Sequence, residues 1–534
     1  MKNCSKEVLK INKLNAIYPN NTTYVLNGLD LKMKRGESLA LVGSSGCGKS
    51  TVARAIIQLL PNGCVCDGEI FLNGKNVLKL EEDSLQTIRG QEVGLIFQDP
   101  MSRLNPLMTV GDHLVDTFSA HDNSEPIYNL VKKAKSLLEK VGIDPIRFNS
   151  FPHEFSGGMR QRIAIALAIC LRPPLIIADE PTTSLDTIIA DQIMSELSLL
   201  CDEIGSALLL ITHDLAMAYK WCNKIAILDY GQIVESGNIK EIVGNPKTDI
   251  AQRLVNSGRI LEGSEREILT KRSSLLRVNR LRCWHNSGFW PFNSFWLKAV
   301  NEVTFSLYEG ETLGIVGPSG CGKSTLCRAL TGLLPIRGGS VFFLGKKIST
   351  INRKSLKQLR KYIQIIFQDP SASLNPKMTV MDAIMDPILI HKLLSPSQAR
   401  EKARDLLELV GLMPTVMYEQ RLPFQLSGGQ QQRVAIARAL ALNPKILICD
   451  ESVSMLDAEI QAEVLELLRS LQENLKLSML FITHDLSVAA GFCHRVLVLD
   501  KGQIIEENFG NNLLNYPQKY LTKKMVEACP RIPK

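Results

Sequence analysis

The feature that most constrains the fold is a nine-residue stretch that occurs twice, at positions 43–51 and 317–325. The two copies read Gly43-Ser44-Ser45-Gly46-Cys47-Gly48-Lys49-Ser50-Thr51 and Gly317-Pro318-Ser319-Gly320-Cys321-Gly322-Lys323-Ser324-Thr325. Each fits the phosphate-loop pattern, in which Gly is followed by four residues and then by Gly-Lys-Ser. A short apolar run precedes each copy and a helical pattern follows it, which predicts a buried strand, a loop and a helix.

The residue types in this loop suit a nucleoside triphosphate, and we expect every residue of both copies to line its site. Glycines let backbone N–H groups turn inward around phosphate oxygens, and the following helix points its positive end at the same anion. Lys49 and Lys323 would reach the β- and γ-phosphates, and Ser50 and Ser324 would give a hydroxyl to Mg²⁺. The sequence therefore predicts two ATP sites.

The same landmarks recur in the same order in both halves of the 534-residue chain. The loops lie 274 residues apart, and the later landmarks lie 270 or 271 residues apart. The matched pairs are Gln98/Gln368, Ser156/Ser427, Asp179/Asp450 and His213/His484. We therefore predict two copies of one domain, at 1–246 and 275–510, with a linker at 247–274 and a tail at 511–534.

Each half is predicted to be an α/β domain with a mostly parallel sheet core. Apolar runs at 175–180 and 207–213 alternate with helical patterns, and such sheets bind ligands outside the carboxyl ends of their strands. The front end at 9–34 predicts a small antiparallel β subdomain. The stretch 100–155 lacks long β-rich runs and has helical periodicity, which predicts an inserted helical subdomain.

Composition limits the partners more than the activity. The net charge of +8 is spread along the chain without a block of like charges, so we expect no nucleic acid; a basic patch remains the alternative. The thirteen cysteines lack the spacing of zinc sites. Cys47 and Cys321 lie inside the phosphate loops, where a disulfide would obstruct nucleotide, and we interpret all thirteen as reduced thiols.

No apolar run approaches the roughly 18 to 20 residues that span a bilayer, and the amino terminus lacks a signal-peptide core. We therefore expect the chain in the cytoplasm. An aromatic-rich insertion at 284–296 enlarges the second half. It is either a partner-binding patch or a strand and loop packed on its own domain.

Acidic pairs end two of the apolar runs. Asp179 and Asp450 would be ligands of Mg²⁺, and Glu180 and Glu451, which follow at once, would act as general bases toward an attacking water. A plain strand end facing solvent is the alternative. A phosphate loop upstream of both pairs makes that alternative the weaker one.

Two more polar residues follow predicted strands in each half. Gln98 and Gln368 stand between core strand and helical insert, where a neutral amide would touch Mg²⁺ or water and report the γ-phosphate to the insert. His213 and His484 end strands and would donate a hydrogen bond to the γ-phosphate. A purely structural hydrogen-bonding role for each histidine remains open.

Each half also places Ser-Gly-Gly at the start of a predicted long helix. The residues are Ser156, Gly157 and Gly158 in the first half and Ser427, Gly428 and Gly429 in the second. A serine hydroxyl, exposed N–H groups and the helix dipole suit a second contact to a γ-phosphate. A simple helix cap is the alternative.

In this order, phosphate loop, Gln, Ser-Gly-Gly, Asp-Glu and His closely resemble the nucleotide-binding domains of ABC ATPases, twice over nearly the whole chain. The resemblance implies that two domains meet head to tail. Lys49 would then face the Ser-Gly-Gly of the second half, and Lys323 that of the first, in two composite sites. It also implies that Tyr18 stacks on adenine in the first half, with Trp284 as the candidate in the second.

Within that family, the stretches 98–110 and 368–380 resemble peptide and nickel uptake importers. The resemblance implies ATP-driven uptake through two separate permease subunits, with a solute-binding protein, at the cytoplasmic face of the inner membrane. Ser452 replaces the Pro found at Pro181, and Met159 replaces the usual Gln of the signature. All the catalytic residue types occur in both halves, which predicts two competent sites.

A soluble ABC ATPase without a transport role, such as a ribosome-associated translation factor, is the alternative function. Those proteins are also twin and lack membrane spans, but they carry a long charged helical arm between the halves. The predicted linker at 247–274 is too short for such an arm, which favours the transporter.

Overall fold

The computed structural model of the chain describes residues 7–19, 22–99, 103–122, 124–183, 185–261, 273–287, 295–348, 353–454 and 456–532. The chain divides into two compact units. The first comprises Met1–Leu185, Ile189–Gly258 and Pro530–Lys534, and the second comprises Asp186–Ile188 and Arg259–Cys529. The term first half denotes the sequence up to 261, and second half denotes the sequence from 273 onward.

The first half alternates strands and helices after an antiparallel front end. Its strands are β1 (Glu7–Ile17), β2 (Leu26–Lys34), β3 (Ser38–Val42), β4 (Val65–Leu72), β5 (Lys75–Asn76), β6 (Val93–Ile96), β7 (Leu175–Asp179), β8 (Ala207–Thr212), β9 (Lys224–Asp229) and β10 (Gln232–Asn238). Its helices are α1 (Lys49–Ile56), α2 (Glu82–Gln91), α3 (Val110–Ser119), α4 (Ile127–Lys140), α5 (Gly157–Ile169), α6 (Thr187–Ile204), α7 (Leu215–Trp221), α8 (Ile239–Gly244) and α9 (Asp249–Leu261).

The second half repeats this order. Its strands are β11 (Ser274–Ser287), β12 (Phe295–Tyr308), β13 (Thr312–Val316), β14 (Gly338–Phe343), β15 (Lys346–Lys347), β16 (Ile363–Ile366), β17 (Ile446–Asp450), β18 (Ser478–Thr483), β19 (Arg495–Asp500) and β20 (Gln503–Phe509). Its helices are α10 (Lys323–Leu330), α11 (Arg353–Tyr362), α12 (Pro370–Ser373), α13 (Val380–Ile390), α14 (Pro396–Leu409), α15 (Val416–Glu419), α16 (Gly428–Leu440), α17 (Ala458–Leu475), α18 (Leu486–Phe492), α19 (Gly510–Asn515) and α20 (Tyr520–Ala528).

Each half has a mostly parallel core sheet. The strand order is β10-β9-β3-β8-β7-β6 in the first half and β20-β19-β13-β18-β17-β16 in the second. β10 and β20, at one edge, pair antiparallel with their neighbours. The hairpin that contains β10 turns at Tyr230-Gly231, as its sequence predicts.

The register of this sheet brings the predicted functional residues to one edge. Val42 at the end of β3 lies beside Thr212, and Asp179 at the end of β7 lies beside Ile211. β6 runs parallel to β7 and ends at Ile96. The loops that leave the carboxyl ends of four adjacent strands therefore start at nearly the same height.

Separate layers cover the two faces of each core sheet. On one side lies an antiparallel sheet, ordered β2-β1-β4-β5 in the first half and β12-β11-β14-β15 in the second. The helical insert packs by one face, since α4 buries Leu130, Ala134 and Leu138 at four-residue spacing. The predicted fold class, tandem α/β domains with a β front end and a helical insertion, is confirmed.

Two segments that sequence patterns left without regular structure are helical. Part of the stretch predicted as a linker forms α9, which buries Ile250, Ala251 and Leu254 in the first unit. The stretch predicted as a tail contains α20. Both helices are short and rich in charge, so their apolar faces are easily missed. Residues 262–272 of the predicted linker lie outside the described residues.

The last described residues belong to the core of the first unit. Ile532 is only 2% exposed and joins the same apolar cluster as Ile250 and Val255 of α9. A Cβ on Gly258 of α9 would lie 2.4 Å from Ile532 Cδ1. Glycine inside a helix costs stability, and here it admits a neighbouring side chain.

None of the helices described in the structure is long and apolar enough to cross a membrane.

Packing of the helical insert gives a test of the fold. At Gly111 in α3, a Cβ would lie 2.2 Å from Phe148 Cε1, so Gly111→Val should overpack the insert and lower the free energy of unfolding by about 1–3 kcal/mol. Calorimetric unfolding of the full chain measures this change. Gly244→Val in α8 is the matched control, because a Cβ there meets nothing within 4 Å. Equal effects of the two variants would contradict the described packing.

Candidate functional site

Each phosphate loop leaves its strand and enters a helix through a glycine that only a left-handed backbone fits. α1 starts at Lys49 directly after Gly48, whose φ is 107°, and α10 starts at Lys323 after Gly322, whose φ is 109°. Residues with a Cβ rarely adopt this region. The turn aims the first N–H groups of each helix into the loop, which suits an anion.

The first glycine of each loop allows a close backbone approach. A Cβ on Gly43 would lie 2.3 Å from the carbonyl oxygen of Leu228, and one on Gly317 would lie 2.2 Å from that of Leu499. Any other residue would push the loop away from the end of β9 or β19. This contact fixes the position of the loop on the sheet.

The lysines of the loops fold back onto loop carbonyls. Lys49 Nζ donates to the oxygens of Gly43 and Ser44, both at 2.8 Å. Lys323 Nζ donates to the oxygen of Gly317 at 2.8 Å. Both lysines are at most 7% exposed, so their charge is held in a buried position against neutral acceptors. A phosphate oxygen would be a stronger partner than these carbonyls.

The cysteines of the two loops are buried free thiols. Burial raises the pKa of Cys47 and of Cys321 above its usual value, although the nearby lysine of each loop opposes this. Both thiols are therefore neutral near pH 7 and fill space under the loop. All cysteines in the described ranges are unpaired by disulfides.

Tyr18 contacts the first loop directly. It follows β1, and its hydroxyl lies 3.1 Å from Thr51 Oγ1 at the start of α1. In the second half the strand register identifies the equivalent position. Cys283 pairs with Val300.

That pairing matches Ala16 with Leu26 in the first half, so the residue equivalent to Tyr18 is His285. Trp284, the residue expected from the sequence, is therefore out of register by one position. Its indole Nε1 is buried without a hydrogen-bond partner in the described part of the chain, and Lys298 Nζ lies 5.4 Å from its ring centre. Residues 288–294 of the aromatic insertion lie outside the described residues.

The strand-end aspartates have the environment of a cation site. Asp179 and Asp450 are buried, and burial is the main cause that raises the pKa of each carboxyl. Ser324 Oγ donates to Asp450 Oδ1 at 3.2 Å, and a hydrogen bond from Ser50 favours the charged form of Asp179. Asp179 Oδ1 has no partner among the described residues. Hydroxyl and carboxylate oxygens are ligands that Mg²⁺ prefers, so the residues fit this ion.

The glutamate of the first half is held by three side chains. Glu180 Oε1 lies 2.9 Å from His213 Nδ1, and Glu180 Oε2 accepts from Gln98 Nε2 at 2.8 Å and from Thr183 Oγ1 at 3.0 Å. Its φ of 47° is unusual for a residue with a side chain, and such conformations concentrate at functional sites. The sequence did not identify Thr183; its place three residues after Glu180 is the available signal.

The glutamate of the second half has the same neighbours at longer range. Glu451 Oε2 accepts from Gln368 Nε2 at 3.1 Å and lies 3.6 Å from His484 Nδ1. Its other oxygen, Oε1, lies 3.6 Å from Lys323 Nζ. The hydroxyl of Ser454, at the position of Thr183, donates to the backbone oxygen of Glu451 at 2.8 Å.

Both glutamates are ionised near neutral pH. Burial raises the pKa of Glu180, but the hydrogen bond and charge of His213 outweigh it and leave the pKa below its usual value. His484 and then Lys323 have the same net effect on the pKa of Glu451. An ionised carboxylate can accept a proton from water. The histidines, expected to contact a phosphate, instead approach the glutamates.

The two Ser-Gly-Gly stretches begin helices, as the sequence predicts, but only one is fully capped. Ser427 Oγ accepts from Gln430 N at 3.3 Å, and Gln430 Oε1 accepts from Ser427 N at 3.1 Å. Met159 stands where Gln430 stands and cannot return such a bond, and Ser156 makes no side-chain cap. In both halves the serine and the first glycine are exposed.

The second glycine of each signature has a packing role that sequence reasoning missed. A Cβ on Gly158 would lie 2.7 Å from Ile189 Cγ2, and one on Gly429 would lie 2.6 Å from Ile460 Cγ2. These isoleucines lie on α6 and α17, the helices that follow the Asp-Glu pairs. The glycine therefore lets the signature helix approach its neighbour closely.

The comparisons with known proteins agree with this geometry. A family model described as ABC transporter matches residues 26–183 and 300–454. The chain is 36% identical over 563 residues to the glutathione import ATP-binding protein GsiA of Salmonella typhimurium. That alignment covers 98% of this chain and 90% of the relative.

Two further similarities were found. GsiA of Escherichia coli O157:H7 is 36% identical over 560 residues, which cover 98% of this chain and 89% of the relative. Among solved structures, the dimeric bacterial ABC transporter cassette MJ0796 is 30% identical and aligns with 44% of this chain and 98% of its own, at a TM-score of 0.40.

The position of Tyr18 beside the first loop gives a test of its stacking role. With the second loop disabled by Lys323→Ala, Tyr18→Ala should weaken ATP binding by about 1–3 kcal/mol, the usual contribution of one aromatic stack on a base. Titration with a fluorescent ATP analogue measures the affinity. Tyr18→Phe is the control, because it keeps the ring and loses only the contact with Thr51. Equal affinities of the Phe and Ala variants would rule out stacking.

Proposed function

This chain belongs to the ABC transporter family, and on that premise we propose that its two sites hydrolyse ATP to drive uptake of a peptide-like solute through separate permeases. It is an ATP-binding protein and an ATPase of the import class. One observation supports the proposed residues above all others. Loop, carboxylates, glutamine and histidine leave the carboxyl ends of four adjacent parallel strands, and they do so twice.

In this proposal each loop holds the β- and γ-phosphates of ATP. Lys49 and Lys323 would exchange their loop carbonyls for phosphate oxygens. Mg²⁺, held by the loop serine and the strand-end aspartate, would neutralise charge on the phosphates.

Glu180 and Glu451 would take a proton from the attacking water. In each half, the glutamine and the histidine that contact the glutamate would orient its carboxylate. Since the glutamine begins the connection to the helical insert, it would also link the site to that insert.

The two halves are proposed to complete each other's sites, head to tail. Support comes from the exposed amino-terminal ends of α5 and α16, where Ser156 and Ser427 present a hydroxyl and free helix N–H groups. A helix start of this kind binds anions. The γ-phosphate at the loop of one half would then meet the signature of the other.

A groove in the first half is suited to a permease helix. Its volume is about 710 Å³, and it lies between the helical insert and the ends of α5 and α6. Phe118, Leu137 and Leu200 contribute apolar surface, and the ion pair of Lys140 with Glu203, at 2.6 Å, lies at its edge. An amphipathic helix docks in such a groove. Permease contacts would place the chain at the cytoplasmic face of the inner membrane.

The proposed substrate class comes from the relatives. Both GsiA proteins are glutathione import proteins, and glutathione is a small peptide. A peptide-like solute, delivered by a solute-binding protein, is therefore favoured over a nickel-like one. None of the relatives named above supports the alternative of a ribosome-associated factor.

The role of the glutamates is tested by Glu180→Gln combined with Glu451→Gln. Loss of both bases should lower the ATPase rate by about 10²–10⁴-fold while ATP still binds. Phosphate release and nucleotide titration measure the two quantities. Glu241→Gln with Glu473→Gln, both exposed positions, is the matched control and should keep the wild-type rate. Turnover of the test variant at the wild-type rate would remove the assigned bases.

The partner class is tested by affinity purification of the full chain from detergent-solubilised membranes. Mass spectrometry is expected to find two multi-span membrane proteins, because the described chain supplies no span of its own. Lys140→Glu, which reverses a charge at the groove, should reduce their recovery, whereas Glu241→Gln should not. Recovery of ribosomal RNA in place of membrane proteins would reverse the assignment.

A further inference from the structure

The residue after the proposed base differs between the halves: it is Pro181 after Glu180 and Ser452 after Glu451. We infer that this residue is a positioning residue, and that Ser452 leaves Glu451 less firmly held. The second site therefore turns over more slowly than the first. The inference rests on the proposed function of the two glutamates as bases.

The backbone of the two glutamates is the same. Their φ angles are 47° and 48°, and their N–H groups donate to Ile211 at 2.9 Å and Ile482 at 3.0 Å. Proline fixes its own φ and restricts the residue before it. Pro181 therefore helps to hold an unfavourable backbone conformation that serine leaves unrestricted.

The carboxylates differ where the backbones agree. The carboxylate of Glu180 lies 2.9 Å from its histidine and 2.8 Å from its glutamine, whereas these distances are 3.6 Å and 3.1 Å for Glu451. A hydroxyl also donates to the carboxylate of Glu180, while the matching hydroxyl in the second half donates to the backbone. Glu451 is thus held by weaker contacts.

The loosened carboxylate has a competing partner. Glu451 Oε1 lies 3.6 Å from Lys323 Nζ, the group proposed to bind the γ-phosphate. Among the residues that the structure describes, Lys49 and Glu180 form no corresponding ion pair within the same range. The base of the second site must leave this lysine before it can activate water, which adds a step that the first site lacks.

A proline can be accommodated at position 452. Ser452 is 2% exposed, and its Oγ makes no geometrically acceptable hydrogen bond with the described residues; the thiol of Cys449 is its polar neighbour. Removing an unsatisfied buried hydroxyl does not cost stability. The backbone at Glu451 already matches that of a residue followed by proline, so Ser452→Pro is expected to fold.

The test uses the full chain with Glu180→Gln, so that only the second site turns over. Adding Ser452→Pro should raise kcat about three- to tenfold and leave KM for ATP within about twofold, because the position of a base matters in the transition state. Ser452→Ala separates the hydroxyl from the backbone effect and should leave kcat unchanged. Pro181→Ser, in a chain with Glu451→Gln, should lower kcat by a similar factor.

The same substitutions are also measured with both glutamates intact, where Ser452→Pro should raise total kcat and Pro181→Ser should lower it. This second arm decides if one inactive site silences the other. Unchanged kcat for Ser452→Pro at a wild-type melting temperature would overturn the inference, as would equal gains from Ser452→Ala. An active Glu180→Gln, Glu451→Gln chain would instead contradict the proposed function.

Discussion

The contact of each phosphate loop with the end of its neighbouring strand is the constraint on which the rest of each half depends. At Gly43 and Gly317 the backbone passes so close to a strand carbonyl that no side chain fits. The loop is thereby fixed at the height where three other parallel strands end. Every polar group of the site then needs only to follow its strand, and the sheet itself sets the distances between them.

This arrangement explains why so much of the site was predictable. Strand ends of one parallel sheet converge, so motifs read along the chain translate directly into neighbours in space. The twin pattern of loop, Gln, Ser-Gly-Gly, Asp-Glu and His identified the fold class. It also identified the residues that the structure gathers at the edge of each core sheet.

What the sequence could not supply are contacts that depend on register and on side-chain direction. His213 was expected to point at a phosphate and instead meets Glu180, a pairing that no spacing rule contains. Trp284 was one residue out of register, because a bulged strand shifts its faces. The packing role of Gly158 depends on a helix that lies thirty residues further along.

The two halves have diverged beside the reactive groups and not at them. The loop lysines, aspartates and glutamates are alike, but Met159 removes a helix cap and Ser452 removes a backbone restraint. Such changes alter how firmly a group is held without altering its chemistry. A duplicated domain can in this way become unequal while every motif remains complete.

Ile532 has a consequence for the order in which the protein matures. The first unit leaves the ribosome early, yet the side chain that fills the space beside Gly258 is synthesised only after the entire second half. Until then its surface has an open apolar notch that chaperones can recognise. The nascent first domain must therefore wait in a nearly finished state for residues encoded almost three hundred codons later.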